Sequence, residues 1–171
     1  GGDCANFGCI PTQALITSAN IAHELWRSGL YGIDMRISNF QSHRVFEQVR
    51  QIVEEMRQKN SPEALKALGV ETCSSKCTFI DSHTVQVITQ AGEPKAITAD
   101  QIIIATGSRA QVPLIKGLED VSYHTNETIF TLNEIPTTIA IIGGGAAGMM
   151  VAATLCERNL KAVIHIFEIG R

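Results

Sequence analysis

The chain has 171 residues, 44% hydrophobic and 18% charged, the composition of an ordinary globular protein with room for one sizeable domain or parts of two. A formal charge of −3 and a pI near 5.9 exclude a basic surface for nucleic acid, and no apolar run reaches the roughly 20 residues of a membrane span. Five cysteines, an odd number without a disulfide-framework pattern, point to a reducing, cytoplasmic compartment.

The chain opens on Gly1-Gly2-Asp3-Cys4-Ala5-Asn6-Phe7-Gly8-Cys9-Ile10-Pro11-Thr12, two cysteines five apart with glycines before and between them and a proline after. On a regular helix such residues are turned by roughly 140° and separated by roughly 7.5 Å along the axis, beyond the roughly 4.4–6.8 Å Cα spacing of a disulfide. A redox-active dithiol at this spacing therefore requires distorted backbone. Gly8 permits the distortion, and Pro11 suits the first turn of a helix, where its missing N–H is not needed. Cys9 is then expected beside a helix N-terminus, whose partial positive charge favours thiolate over thiol, with Cys4 as its exchange partner. Spacing alone leaves two other readings open: two unrelated buried cysteines, or half of a zinc site completed by Cys73 and Cys77.

Residues 12–27 carry Leu15, Ala19, Ala22 and Trp26 at helical spacing and stop before Gly29, so an amphipathic helix with the dithiol at its head is expected. His23 on that helix reads as an ordinary packing or surface histidine. Val45, Val49, Ile52, Val53 and Met56 define a second helix with a charged outer face. Asn60-Ser61-Pro62-Glu63 caps a short third helix that ends near Gly69. From Val70 the period becomes alternating, and short strands are expected at 70–73, 76–80, 84–88 and 96–97 of a small antiparallel sheet, with turns at 81–83 and 91–93. Cys73 and Cys77 fall within it.

Ile102-Ile103-Ile104 predicts a strand buried on both faces, as in a parallel sheet, and Thr106-Gly107 after it lets main chain approach a ligand closely. Residues 123–128 look like a capped turn in a linker, with His124 lacking any chemical partner. The chain restarts with a strand at 137–142, then Gly143-Gly144-Gly145-Ala146-Ala147-Gly148, a helical 149–159, and a strand at 162–167 followed by Glu168. Strand, G-x-G-x-x-G, helix and closing acid together form the dinucleotide-binding pattern. Gly143 makes the tight turn, Gly145 lets a pyrophosphate reach the helix N-terminus, and Gly148 lets helix and strand pack. Glu168, 20 residues after Gly148, suits an adenine ribose and favours NAD over NADP, a preference that Arg171 nearby softens.

The pattern GG-x-C-x-N-x-GC-x-P in residues 1–14 resembles the active-site signature of class I pyridine nucleotide-disulfide oxidoreductases, the flavoprotein family of dihydrolipoamide dehydrogenase, glutathione reductase and mercuric reductase. The resemblance implies that Cys4 is the interchange thiol that meets the substrate and Cys9 the flavin-side thiol. It also implies FAD as a cofactor, with Gly2, Asp3 and residue 13 on its side of the dithiol. Gln13 stands where the family usually has a lysine that tunes the flavin. Ala105-Thr106-Gly107 resembles the A-T-G element, with Thr106 and Gly107 against FAD. Residues 109–118 resemble the R-x-x-P-x-x-x-G-L linker. Cys77 takes the place of a small alanine, which implies a small buried residue, and Met150 that of a frequent glutamate. Gly-Gly-Asp-Cys and Thr-Asn-Glu-Thr-Ile-Phe look most like the mercuric-reductase-like branch.

The resulting fold expectation is α/β: residues 1–112 as part of an FAD-binding Rossmann-like domain with an inserted antiparallel sheet, 113–136 as linker, and 137–171 as the first half of an NAD(P)-binding Rossmann domain. By resemblance, the parent protein is a cytoplasmic homodimer passing electrons between NAD(P)H, flavin and the Cys4–Cys9 disulfide to a disulfide, dithiol or metal-ion substrate. No resident metal, nucleic acid or membrane span is expected. Without an initiator methionine the chain is expected to be a fragment, inactive alone. Two competing classes remain: a zinc-binding structural module, and a dinucleotide-binding regulatory domain whose cysteines are incidental.

Overall fold

Local sequence signals punctuate the chain in the computed structural model, which describes residues 2–35, 41–89, 91–144 and 163–167. The chain divides into two compact units, 1–57 with 108–171, and 58–107.

In the first unit, helix α1 (Asp3–Asn6) is followed after Phe7 and Gly8 by α2 (Cys9–Arg27). A 3-10 turn, Ser28–Tyr31, closes α2 and stops at Gly32, and α3 spans Ser42–Lys59. The α2 stripe is buried only over its first turns, at Pro11, Thr12, Leu15 and Ala19. Trp26, expected on the same stripe, is 50% exposed. Helix α3 buries Phe46, Val49 and Val53, one face at helical spacing.

Leu15 and Val49 meet Phe130 in a small apolar core flanked by Ala14, Val45 and Ile129. Phe130 comes from a 3-10 turn, Ile129–Thr131, inside the stretch expected to be linker. Arg50 on α3 fastens that turn by donating from Nη1 to the carbonyl of Leu132 at 3.1 Å and of Phe130 at 3.5 Å. Part of the expected linker is thus docked on the helices, because an aromatic side chain gains about 1.5–3 kcal/mol from burial.

Strands β4 (Thr138–Ile142) and β5 (Val163–Phe167) pair in parallel from Thr138 opposite Val163 to Ile142 opposite Phe167. Parallel neighbours need a crossover of a dozen or more residues, and the 20 residues of 143–162 supply one.

The second unit starts with α4 (Pro62–Ala67). Ser61 caps it, its hydroxyl accepting from the Ala64 N–H at 3.2 Å. Strands β1 (Cys77–Phe79), β2 (Thr84–Ile88) and β3 (Pro94–Thr98) form an antiparallel sheet, with Cys77 opposite Val87 and Thr84 opposite Thr98. Asp81 in the β1–β2 turn accepts from the His83 N–H at 2.7 Å.

Two strand expectations fail here. Residues 70–73 are unpaired, and the Ser75 hydroxyl takes the Ile88 N–H at 2.9 Å beside them. Residues 102–105 form no strand, and Ile103 and Ile104 are 87% and 71% exposed. A strand is defined by its neighbours, and among the described residues none lies beside this one. The expected buried Cys77 is exposed.

Candidate active site

The dithiol segment is shaped by a break between two helices. In α1 the Phe7 N–H donates to the Asp3 carbonyl at 2.8 Å, and Asn6 N–H to Gly2 O at 3.3 Å. Helical geometry then fails at Phe7 and Gly8 and resumes at Cys9. The Gly8 carbonyl takes two bonds from buried Thr12, from N–H at 3.1 Å and from Oγ1 at 2.7 Å, which fixes the start of α2. A Cβ at Gly8 would stand 3.1 Å from Asp3 O and 3.2 Å from Cys4 Cα. Only a residue without a side chain lets α1 fold back this closely over the head of α2.

The consequence is that Cys4 on α1 and Cys9 at the head of α2, both exposed free thiols, are close enough for Cys4 to act on the Cys9 thiol. The Cys9 pKa is raised above the ordinary thiol value, first by its hydrogen bond to Cys4 and then by the negative charge Cys4 carries when ionised; a backbone hydrogen bond pulls the other way. A like charge next door thus opposes the partial positive charge of the helix end at Cys9.

Asp3 binds within its own unit: its Oδ2 accepts from the Ser108 N–H at 2.7 Å and the Ser108 hydroxyl at 3.2 Å. Gly2, at φ 96°, is exposed, with nothing within 4 Å of where a Cβ would stand. Gln13 is exposed on α2, one turn beyond Cys9. Thr106 and Gly107 are exposed and belong to the other unit. Gly143 turns at φ 105° and donates its N–H to Phe167 O at 2.8 Å. Gly145, Gly148, Met150 and Glu168 lie outside the described residues.

Asn6, between the two cysteines, donates from Nδ2 to the Gly2 carbonyl at 2.8 Å and accepts from Arg57 Nε at 2.6 Å. Neither Arg57 nor Ser108 emerged from the sequence. Arg57 is one of several charges on a solvated helix face, and Ser108 had only its place after Thr106-Gly107.

No group of three or more His, Cys, Asp or Glu side chains converges to hold a metal ion among the described residues. The described residues do fit a flavin dinucleotide. Residues 101–107 present main chain with no backbone partner among the described residues, and they end in a glycine at φ 75°. Such open donors and acceptors are what a bound dinucleotide uses. No described helix is long and apolar enough to cross a membrane.

Mercuric reductase from Bacillus cereus is 30% identical over 149 residues, covering 87% of this chain and 23% of its own. Mycothione reductase from Mycobacterium tuberculosis is 32% identical over 176 residues, covering 97% of this chain and 36% of its own. Among solved structures, a copper(II) complex of a mutant of the HOCl-induced flavoprotein disulfide reductase RclA from Escherichia coli superposes with a TM-score of 0.70 at 25% identity, over 98% of this chain and 34% of that one. The chain thus spans about a quarter to a third of these proteins. Residues 1–170 match the model of the pyridine nucleotide-disulphide oxidoreductase family, and the chain belongs to that family.

Proposed function

We propose that this chain is the dithiol-bearing part of an FAD-dependent oxidoreductase that moves electrons between NAD(P)H and a disulfide or metal-ion substrate through Cys4 and Cys9. The observation that carries the reading is the Phe7-Gly8 break, which sets exposed Cys4 in one helix and exposed Cys9 at the head of the next.

Residues 1–112 are the part of the FAD-binding domain, an α/β layer with the inserted sheet. Residues 113–136 lead into 137–171, the first half of the NAD(P)-binding domain, supported by the parallel pair β4–β5 and the turn at Gly143. Gly2, Asp3, Gln13, Thr106 and Gly107 hold the flavin. Gly143, Gly145, Gly148 and Glu168 hold the nicotinamide nucleotide, NAD in preference to NADP. When bound, the two cofactors supply the two electrons that, with two protons, return a Cys4–Cys9 disulfide to two thiols.

The protein's own share is thiol exchange. The Cys4 thiolate attacks one sulfur of the substrate disulfide and releases the other as a thiolate, which takes a proton. Cys9, losing its proton, then attacks the Cys4 sulfur, closing the Cys4–Cys9 disulfide and freeing the second substrate thiol. Exposure of both sulfurs gives substrate access. A mercuric ion is an alternative substrate, bound by the two thiolates; the names of the first relatives support it. The parent protein is a cytoplasmic homodimer.

The test is NADH-dependent turnover by the full-length protein with small disulfides, lipoamide and mercuric ion in parallel, repeated with Cys4→Ser and Cys9→Ser. Turnover that both substitutions leave unchanged would mean that the cysteines are incidental.

A further inference from the structure

We propose that Arg57 is a positioning residue for the dithiol, acting through Asn6 to hold the α1 turn close over the head of α2; this rests on the redox reading above. Asn6 is the only residue between the cysteines whose side chain bonds in both directions among the described contacts: Nδ2 donates to Gly2 O at 2.8 Å and Oδ1 accepts from Arg57 Nε at 2.6 Å. The first bond fixes the amide orientation and presents Oδ1 outward as an acceptor. The second is charge-assisted and ties the loop to the last turn of α3.

Helix α3 is a firm support. It buries Phe46, Val49 and Val53 and is bonded through Arg50 to the 130–132 turn. Arg57 is itself steadied by Glu54, whose carboxylate lies 3.8 Å from Nη1. Helix α1, by contrast, is four residues long, too short to be stable alone. Holding it from outside raises the effective concentration of one thiol at the other, so the latch favours closing of the Cys4–Cys9 disulfide.

The exchange is balanced: the protein dithiol plus oxidised glutathione gives the protein disulfide plus two reduced glutathione. Full-length, flavin-bearing protein is equilibrated in glutathione buffers, quenched, and the Cys4–Cys9 segment quantified by peptide mass spectrometry. In Arg57→Gln and Asn6→Ala the equilibrium constant for closing should fall about three- to tenfold. The double variant should be no worse than Asn6→Ala alone, because that substitution already removes the contact that Arg57→Gln breaks, and Arg57→Lys should recover part of the Arg57→Gln loss. A melting temperature for each variant separates the effect from unfolding. An unchanged constant in folded Arg57→Gln, a shift toward the disulfide, or additive losses would overturn the latch while leaving the redox reading intact. Wild-type protein whose Cys4 and Cys9 never close would overturn both.

Discussion

Each unit of the molecule carries a pair of cysteines at short spacing, and the two pairs behave differently. Cys4 and Cys9 sit on either side of a helix break over packed helices, close enough for Cys4 to raise the Cys9 pKa. Cys73 lies on an unpaired stretch with its sulfur 4.0 Å from the Ile88 carbonyl, while Cys77 is on β1 opposite Val87. All four are exposed, so accessibility does not distinguish them. The difference lies in the backbone. A break at a glycine folds the first pair together, and a strand keeps its residues extended.

The most severe way to break this comparison is to remove sulfur. Cys4→Ser or Cys9→Ser in the full-length protein should lower NADH-dependent disulfide reduction by about three orders of magnitude or more, whereas Cys73→Ser and Cys77→Ser should stay within about twofold; equal losses in both pairs would erase the distinction.

Next in size is the support. Phe130→Ala empties the small core beneath the dithiol helix, where Phe130 is 7% exposed, and should cost about 3 kcal/mol of unfolding free energy in a denaturant titration.

Gly8→Val tests the break itself. Its new side chain meets the Asp3 carbonyl and Cys4 Cα, so closing of the Cys4–Cys9 disulfide in glutathione buffers should fall about tenfold with little change in the melting temperature.

A subtler probe is the pH profile of Cys9 alkylation. Hydrogen bonding and charge from Cys4 raise its pKa, so the midpoint should lie above that of an ordinary thiol and fall toward it in Cys4→Ala.

The smallest effect belongs to the second unit. The Asp81 pKa is lowered, chiefly by the His83 N–H and then by the Thr84 hydroxyl. A depressed carboxylate stabilises the fold above its unfolded pKa, and the contribution is lost as pH falls through the folded value. Exchange of the His83 amide should accordingly be faster in Asp81→Asn at neutral pH, with the difference vanishing in acid.

What was legible in the sequence was whatever local chemistry decides. The Ser61-Pro62 cap placed α4, alternation placed β2, and the glycine run placed the turn after β4. The start of α2 at Cys9 was readable because Gly8 and Pro11 constrain the backbone directly. Contacts distant in sequence were not. Ile102-Ile103-Ile104 has the residues of a buried strand, but pairing is decided by neighbours far along the chain. Phe130 hid in a polar stretch read as linker, although an apolar Ile129-Phe130 pair there was a faint sign of docking. The Asp3–Ser108 and Arg57–Asn6 bonds join residues 105 and 51 positions apart, and no periodicity encodes them. The helix end beside Cys9 is visible in sequence, while the charge of Cys4 that raises the Cys9 pKa depends on the folded separation of the two thiols.

The most direct measurement is to titrate the air-oxidised full-length protein anaerobically with NADH and trap thiols at each step with a mass-labelled alkylating agent. The account predicts that Cys4 and Cys9 become alkylated together, in proportion to the NADH consumed, while the labelling of Cys73 and Cys77 does not change. Labelling of Cys4 and Cys9 that is the same before and after NADH would contradict it.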